Sequence, residues 1–427
     1  MPAPPSSSRP SEPSRRPRVP PALRRGPERF DGLAILDEVA GDLGLVLWRS
    51  VRNVLLWAET PGERRGMLFA AGAAQVRRGD LAGVAMDGEL LAPMSVIASL
   101  LEAPGAADVP RLVNACRRVA AWAEHRGSLA TALEFTQAAA LAAPDSAALA
   151  YAVGRLARRR ADFDRAETWY ARAIIQGRQT REWKAYALAF SGMGNLHIRR
   201  GNFPAARKAH QRCLLAARRH GFTELQGDAY HDLFAVAVET GAGFEADALA
   251  ARALEAYGHR NDKIVRLAFD VAYHWVLQGY FAPALTVWRA LRPAFARLAE
   301  LPVLLALTAR AAAACGHRAE CRAAAAEAGR LLAGSAALEM AARTLLSLAH
   351  AAAYLGDWEE AAARAEEALA HARKHGEGRI VLETESTLEM VRRRQGVLAA
   401  GAVRAAHDAS LADELVSALA GLEAAGV

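Results

Sequence analysis

The stretch RRADFDRAETWYARAI, residues 159–174, contains a pattern that returns along the chain at nearly constant spacing. Each copy places a small residue shortly after a polar turn, and in most copies an aromatic side chain stands close to it. The marker positions are Ala132, Ala166, Ala206, Asp247 in place of alanine, Ala284, Cys321 and Ala361, with gaps of 34, 40, 41, 37, 37 and 40 residues. A period of this length is typical of stacked supersecondary units. The chain is therefore predicted to be a stack of seven such units.

Each unit reads as two helices joined by a short turn. The first helix carries a small residue twelve positions before the marker, at Ala120, Gly154, Gly194, Ala235, Ala272, Ala309 and Ala349. The second carries a small or apolar residue seven positions after it, at Ala139, Ala173, Cys213, Leu254, Leu291, Ala328 and Ala368. A glycine follows most first helices, which is typical of a helix end. Small residues at these places predict antiparallel helices packed at close range.

Composition and charge restrict the fold and the partners that the sequence allows. The chain is 52% hydrophobic but only 7% aromatic, which favours helices packed through small side chains, and we find no strand pattern. Of the net charge of +7, a net +5 lies in residues 1–29, a Pro/Ser/Arg-rich segment predicted to be a disordered tail. The remaining charge gives no argument for nucleic acid. The four cysteines lack metal-ligand spacing and read as reduced packing residues, which favours a cytoplasmic protein.

The segments YAVGRLARRRADFDRAETWYARAI and FSGMGNLHIRRGNFPAARKAHQRCLLAA resemble the tetratricopeptide repeat family. The resemblance covers about residues 113–375, and the gaps of 37–41 residues resemble its long-repeat bacterial members. It implies an all-α fold, a right-handed superhelical α-solenoid of antiparallel helix pairs. Residues 30–112 are expected to form an N-terminal helical cap with a degenerate repeat, and residues 376–427 to form C-terminal capping helices. The expected repeat-packing residues are Ala132, Gly154, Ala166, Tyr170, Gly194, Ala206, Ala272, Ala284, Ala349 and Ala361.

No motif for catalysis stands out, so we expect no enzyme activity, no cofactor and no metal site. The GMG run at 192–194 lies within a predicted first helix, where glycines serve packing, and a phosphate loop would need a preceding strand. His371 and His375 are spaced for a shared metal, but they stand at a basic helix end where cations suit the helix dipole. An enzyme would need a buried polar cluster.

In the resembling family the first helices line a groove that takes extended peptides or partner helices. Carried over residue by residue, the groove positions are Asn114, Arg117, Tyr151, Arg155, Arg158, Asn195, Arg199, Phe269, Tyr273 and Arg310. We expect the side chains of Arg155 and Arg199 to be exposed. Arginine, asparagine and tyrosine in a groove suit acidic or aromatic segments through charge-assisted hydrogen bonds and stacking.

The resemblance therefore implies a non-enzymatic scaffold or regulatory protein that binds another protein or a peptide segment. The alternative is a peptide-sensing, transcription-linked regulator that contacts DNA through the basic tail or residues 30–112. No helix-turn-helix with a basic recognition helix supports it, so nucleic acid is the less favoured partner, and no membrane partner is expected. The residues specify neither the identity of the partner nor an oligomeric state.

Overall fold

The computed structural model describes residues 32–258, 261–334, 340–394 and 409–425. All regular structure in these four ranges is helical, without a strand. The predicted all-α class is therefore confirmed. The expected tail, residues 1–29, lies outside the described residues.

Between residue 32 and the first repeat lie four helices, together with short 3-10 helices at Gly62–Met67 and Pro104–Ala106. They are α1 (Gly32–Glu38), α2 (Gly41–Glu59), α3 (Ala73–Ala82) and α4 (Gly88–Ser99).

Seven helix pairs follow, joined within each pair by turns of two or three residues. They are α5 (Val109–His125) with α6 (Leu129–Ala142), α7 (Ala147–Arg159) with α8 (Phe163–Thr180), α9 (Trp183–Arg199) with α10 (Phe203–Arg219), α11 (Thr223–Glu239) with α12 (Gly243–Tyr257), α13 (Lys263–Leu277) with α14 (Phe281–Phe295), α15 (Leu301–Ala314) with α16 (Arg318–Gly334), and α17 (Ala341–Leu355) with α18 (Trp358–Lys374). Every marker lies in the second helix of its pair, and every small residue twelve positions earlier lies in the first. The helix-pair repeat predicted from the sequence is thus present.

Two compact units divide the chain, Met1–Leu225 and Gln226–Val427. The division falls inside α11. The first unit contains α1–α10, and the second contains α12–α18 and two further helices, α19 (Gly378–Arg392) and α20 (Ala409–Ala425).

The N-terminal helices cover the first repeat. Helix α2 buries Leu47, Val51 and Val54, the apolar face expected from the sequence, and packs against α6. The carboxylate of Glu38 accepts hydrogen bonds from the backbone amides of Ala130 and Thr131, at 2.6 and 2.8 Å. Those amides belong to the first turn of α6 and have no partner within the helix. Glu38 therefore satisfies a helix start in the first repeat.

Ala161 occupies the left-handed turn position where most other pairs have glycine. Its φ is +60°, its amide donates to the carbonyl of Arg158, and the amide of Asp162 donates to the carbonyl of Ala157. These two bonds form a Schellman motif, and Asp162 then caps α8 by accepting from the amide of Arg165. The turn is thus specified by its hydrogen bonds, although an alanine Cβ opposes it.

The predicted packing residues lie inside the helix pairs. The eight that carry a side chain are at most 1% exposed, and Gly154 and Gly194 are buried. A Cβ placed on Gly154 would lie 2.7 Å from the ring of Tyr170, and one on Gly192 would lie 2.4 Å from the same ring. One on Gly194 would lie 2.4 Å from the ring of His210. The glycines of the GMG run therefore admit aromatic rings of the second helices between first helices.

At the fourth marker a polar residue takes the place of alanine. Asp247 on α12 accepts a hydrogen bond of 2.9 Å from the indole nitrogen of Trp275 on α13. The indole N–H needs an acceptor when the ring is buried, and Trp275 is only 2% exposed. Asp247 thus joins the fourth pair to the fifth.

The last two helices cover different parts of the second unit. Helix α19 packs against α18, while α20 packs mainly against α14 and presents the fully buried Leu415 and Ala418. Residues 395–408, between them, lie outside the described residues.

Two properties of the described chain bear on its environment. None of its helices combines the length and the apolar character that crossing a bilayer requires. The four cysteines are free thiols, and burial raises the pKa of Cys116 to about 12.

Candidate functional site

The groove residues expected in the first three repeats do not form one accessible set. Asn114, Arg117 and Arg199 are exposed, while Tyr151 and Asn195 are half-buried. The half-buried Arg158 and Tyr151 both lie next to Tyr170: Arg158 hydrogen-bonds to it, and the two tyrosine ring centroids are 6.0 Å apart. These contacts give both side chains a packing role.

The expectation that Arg155 is exposed and available is wrong. Its two terminal nitrogens donate to the two carboxylate oxygens of Glu124, at 2.6 and 2.7 Å, and its side chain is 34% exposed. Arg159 donates to the same carboxylate. The hydrogen bond from Arg155 is the main reason that the pKa of Glu124 lies below its ordinary value. The groove position of Arg155 is therefore occupied from within, by a carboxylate of the preceding repeat.

In the second unit, side chains from alternate first helices meet. The guanidinium carbon of Arg343 on α17 lies 5.6 Å from the ring centroid of Tyr273 on α13, although α15 comes between them in the repeat order. Such a contact requires the first helices to curve toward one another. Arg379 on α19 and Glu239 on α11 also meet, at 3.1 Å. This face is therefore the inner face of the second unit.

Arg310 on α15 stands in the middle of this inner face. Among the described residues no carboxylate lies within ion-pair distance of it, and its Nε is buried without a hydrogen-bond partner. Burial lowers the pKa of its guanidinium, and the longer-range effects of Tyr354, Tyr273 and Glu383 oppose this shift. We call Tyr273, Arg310, His350 and Tyr354 the Arg310 cluster.

His350 adds an unpaired acceptor to the Arg310 cluster. Its Nε2 lies 3.3 Å from the hydroxyl of Thr387, and that hydroxyl donates to the carbonyl of Glu383 at 2.8 Å. The hydroxyl can therefore accept from Nε2–H, which leaves Nδ1 as a buried acceptor without a partner in the described chain. Burial and the charge of Arg310 hold the pKa of His350 well below its ordinary value of 6.5. The imidazole is thus neutral at physiological pH.

Aromatic side chains in and beside the Arg310 cluster are held in place by ring packing. The ring of Tyr354 meets Phe281 edge-on, with centroids 5.4 Å apart, and burial raises the pKa of its hydroxyl. The predicted groove residue Phe269 stacks on Phe295 at 5.6 Å. Fixed aromatic walls beside an unpaired cation can position a ligand without further ordering of the side chains.

Asp270 on α13 is a carboxylate held between two basic side chains, His231 and Arg266. Burial raises the pKa of Asp270, but a 3.1 Å contact with His231 and a 2.9 Å bond from Arg266 outweigh it, so the net shift is downward. Asp270 is thus already neutralised by its neighbours. In the described part of the chain no group of His, Cys, Asp and Glu side chains could hold a metal ion.

Two of the predicted groove residues, Tyr273 and Arg310, belong to the Arg310 cluster, whereas His350 and Tyr354 were not predicted. The available signal was their spacing: residues 343, 350 and 354 are separated by seven and four positions, which places them on one face of α17. That face belongs to the seventh repeat, for which no groove positions were predicted.

Comparisons with known proteins agree with this architecture. Residues 344–379, which span α17 and α18, match the tetratricopeptide repeat family model. No curated protein matches the chain. Its fold is that of a helical-repeat protein. Six helix pairs of the same kind precede the matched pair, so the likeness to the tetratricopeptide repeat family rests on one matched repeat within a repeating fold.

Three solved structures show the extent of the likeness. A tetratricopeptide repeat protein from Parabacteroides merdae is 17% identical, with a TM-score of 0.44, over 64% of this chain and 98% of that one. The apo form of RapI is 12% identical, with a TM-score of 0.46, over 66% and 98%. A Rap protein complexed with Competence and Sporulation Factor is 10% identical, with a TM-score of 0.42, over 82% and 98%.

Proposed function

We propose that this chain is a non-enzymatic scaffold or regulatory protein that binds an extended segment of another protein or a peptide on the inner face of the second unit. An anionic group of the ligand, a side-chain or terminal carboxylate, lies against Arg310. The observation that carries this proposal is the arginine itself, which is half-buried, keeps its Nε buried without a hydrogen-bond partner, and has no carboxylate partner in the described chain.

An unpaired, half-buried cation is unfavourable for the free protein. Removing a guanidinium from water costs several kcal/mol, roughly, unless an opposite charge and hydrogen-bond acceptors replace the water. A ligand carboxylate supplies both, because it matches the planar fork of the guanidinium. Binding the ligand therefore offsets a cost that the empty site carries.

The rest of the Arg310 cluster fits an extended peptide. Tyr273 and Tyr354 offer aromatic surfaces beside the cation, and Nδ1 of His350 can accept a hydrogen bond from a peptide N–H. A donor and an acceptor that both lack partners match the alternating groups of a peptide backbone. The preferred ligand is therefore a segment with an acidic group next to an aromatic or amide-rich stretch.

The test compares peptide selection on the full chain with selection on two matched variants. Random short peptides with free carboxyl termini, displayed on phage, are selected on wild type, on Arg310→Met and on Arg330→Met. Arg330 is an exposed arginine on α16, so its variant removes the same charge away from the inner face. Peptides enriched on wild type should also bind Arg330→Met but should lose at least about tenfold in affinity for Arg310→Met.

The melting temperature of Arg310→Met distinguishes a role of Arg310 in ligand binding from a role in stabilising the fold. Arg310→Met should melt at the same temperature as wild type or higher, since it removes a half-buried charge that has no carboxylate partner. Full peptide affinity in Arg310→Met would contradict the proposal, as would a wild-type chain that enriches no peptide. A clear drop in melting temperature with binding retained would show that Arg310 serves the fold.

A further inference from the structure

A cavity of about 760 Å³ opens in the first unit, between the last turns of α8 and α10. Its floor is a row of aromatic side chains on α9. Trp183 meets Tyr186 edge-on with ring centroids 5.8 Å apart, and Tyr186 meets Phe190 in the same way at 5.0 Å. Its volume lies in the range, about 300–1,000 Å³, of pockets that hold ligands. We call it the α8–α10 pocket.

The local sequence explains why the pocket exists. A Cβ on Gly177 would lie 2.9 Å from Cβ of Tyr186, so the glycine allows α8 and the start of α9 to approach closely. Arg181 then takes the left-handed conformation, with φ of +62°, and ends α8 abruptly. His220 stacks on Trp183 at 4.7 Å and holds the indole in place. The floor is therefore preformed.

Three arginines form the rim of the α8–α10 pocket. Arg178, Arg212 and Arg219 are exposed, and no described carboxylate lies within ion-pair distance of any of them. Arg212 also lies over the ring of Phe190, 5.5 Å from its centroid. Leu215, which lies between two of the arginines along α10, is 69% exposed. No acidic residue lines the pocket.

Several other arginines of the same repeats are paired with carboxylates. Arg200 binds Glu167 and Asp164, at 2.5 and 3.0 Å, and Arg165 binds the fully buried Glu134 at 3.0 Å. At the α8–α10 pocket, by contrast, three arginines surround an aromatic floor and no carboxylate lines it. The missing carboxylates indicate an acidic partner by charge complementarity.

We propose that the α8–α10 pocket docks an acidic segment of a partner protein, with an aromatic or leucine side chain inserted over Trp183 and Tyr186 and flanking carboxylates bound by the three arginines. An acidic protein segment fits better than a nucleic acid. The pocket sets an apolar floor and the exposed Leu215 beside its three arginines, which suits an inserted peptide side chain, whereas a phosphate backbone would need a continuous basic track. This surface lies in the other unit from the Arg310 cluster, so each site can fail without the other.

The probe is a fluorescein-labelled peptide of alternating Glu and Asp residues around one Phe, amidated at its carboxyl terminus. Amidation removes the terminal carboxylate that the Arg310 cluster could take. Fluorescence anisotropy measures its affinity for the full chain, for Arg212→Glu/Arg219→Glu and for Leu215→Ser. The matched control is Arg111→Glu/Arg118→Glu, which makes the same change of charge at exposed positions on α5. A second peptide with Ser in place of Phe tests the aromatic anchor.

Wild type and the α5 control should bind the Phe peptide equally, and the Arg212→Glu/Arg219→Glu variant should bind at least about tenfold more weakly. Leu215→Ser and the Ser peptide should each weaken binding, and added salt should weaken it further. Equal binding by the two arginine double variants would overturn the proposal. Preferential binding of an oligothymidylate at the same arginines, or absence of peptide binding to wild type, would overturn it as well. Arg310→Met should leave this affinity unchanged, and a loss there would place the peptide on the inner face instead.

Discussion

Replacing Gly192 by alanine tests how the first unit is packed. Gly192 lies on α9, and a Cβ there would stand 2.4 Å from Cζ, 2.5 Å from Cε1 and 2.9 Å from the hydroxyl oxygen of Tyr170. Tyr170 is 1% exposed and also fills the space over Gly154 on α7, so its ring cannot retreat. The added methyl must therefore push α9 away from α8 or force the ring out of its rotamer.

Two opposing effects determine how much Gly192→Ala changes the free energy of unfolding. Alanine favours a helix interior over glycine by about 1 kcal/mol, which would stabilise the variant. Overpacking of this kind costs about 1–3 kcal/mol, and the short contact with ring atoms on two sides places it toward the upper end. The net result should be a destabilisation of roughly 1–2 kcal/mol, or a melting temperature about 2–8 °C lower for a unit of this size.

The matched control is Gly79→Ala, because nothing lies within 4 Å of a Cβ at Gly79 on α3. It should gain stability, by about 0.5–1 kcal/mol, from helix propensity alone. Circular dichroism during thermal and urea unfolding compares the two variants with wild type. Tyr170→Leu added to Gly192→Ala should cost less than the sum of the single changes, because the smaller side chain leaves room. If Gly192→Ala is as stabilising as Gly79→Ala, the close packing of α9 on Tyr170 is refuted.

Three further changes test single contacts. Ala161→Gly should raise the free energy of unfolding by about 0.5–1 kcal/mol in urea, because it removes the Cβ that opposes the left-handed turn. Glu124→Gln should cost roughly 1–2 kcal/mol at neutral pH, after allowance for solvent screening. Arg155 holds the folded pKa of Glu124 below the ordinary 4.5, so this difference is complete above that pH and should vanish as the pH falls through the folded value; a pH-independent difference would exclude the pair. His350 has a depressed pKa, so below pH 6.5 the unfolded chain binds a proton that the folded chain does not, and stability should fall with pH less steeply in His350→Gln. Arg310→Met should raise the pKa of His350 in an NMR titration, and an unchanged value would contradict their coupling.

The repeat could be predicted because its signal is local and periodic. Each marker alanine is fully buried in its helix pair, so the need for a small residue recurs at the repeat spacing. The turn at Ala161 was not recognised as left-handed, because the expected signal is glycine and this turn is specified by hydrogen bonds to Arg158 and Ala157. Local sequence patterns therefore predicted the helix pairs. They did not predict the left-handed turn at Ala161, where alanine takes the conformation usually held by glycine.

The accessible groove could not be predicted to the same degree. Whether an arginine on a first helix is free depends on the residue that the neighbouring repeat presents to it. Arg155 meets Glu124 of the repeat before, and nothing in the spacing of either helix reports that encounter. The burial of Arg310 depends on the curvature that brings Tyr273 toward Arg343, which is the summed result of several helix-pair contacts. The α8–α10 pocket likewise depends on the close approach at Gly177.

The ion pairs show how part of the arginine content of this chain is used. Several arginines find a carboxylate about one repeat away. The pairs are Arg155 with Glu124, Arg165 with Glu134, Arg200 with Glu167, Arg289 with Glu320 and Arg292 with Glu327, at sequence separations of 31–35 residues. Such pairs reach from one repeat to the next and so hold adjacent repeats in register.

Arginines outside this pattern do not link adjacent repeats in this way. Arg310 and the rim of the α8–α10 pocket lie outside it in different environments, since Arg310 is half-buried and the rim arginines are exposed. A half-buried unpaired cation suits one carboxylate bound tightly, whereas exposed ones suit several carboxylates bound weakly and in exchange with salt. The two surfaces should therefore differ in salt dependence, with binding at the α8–α10 pocket falling steeply as salt rises and binding at Arg310 changing little.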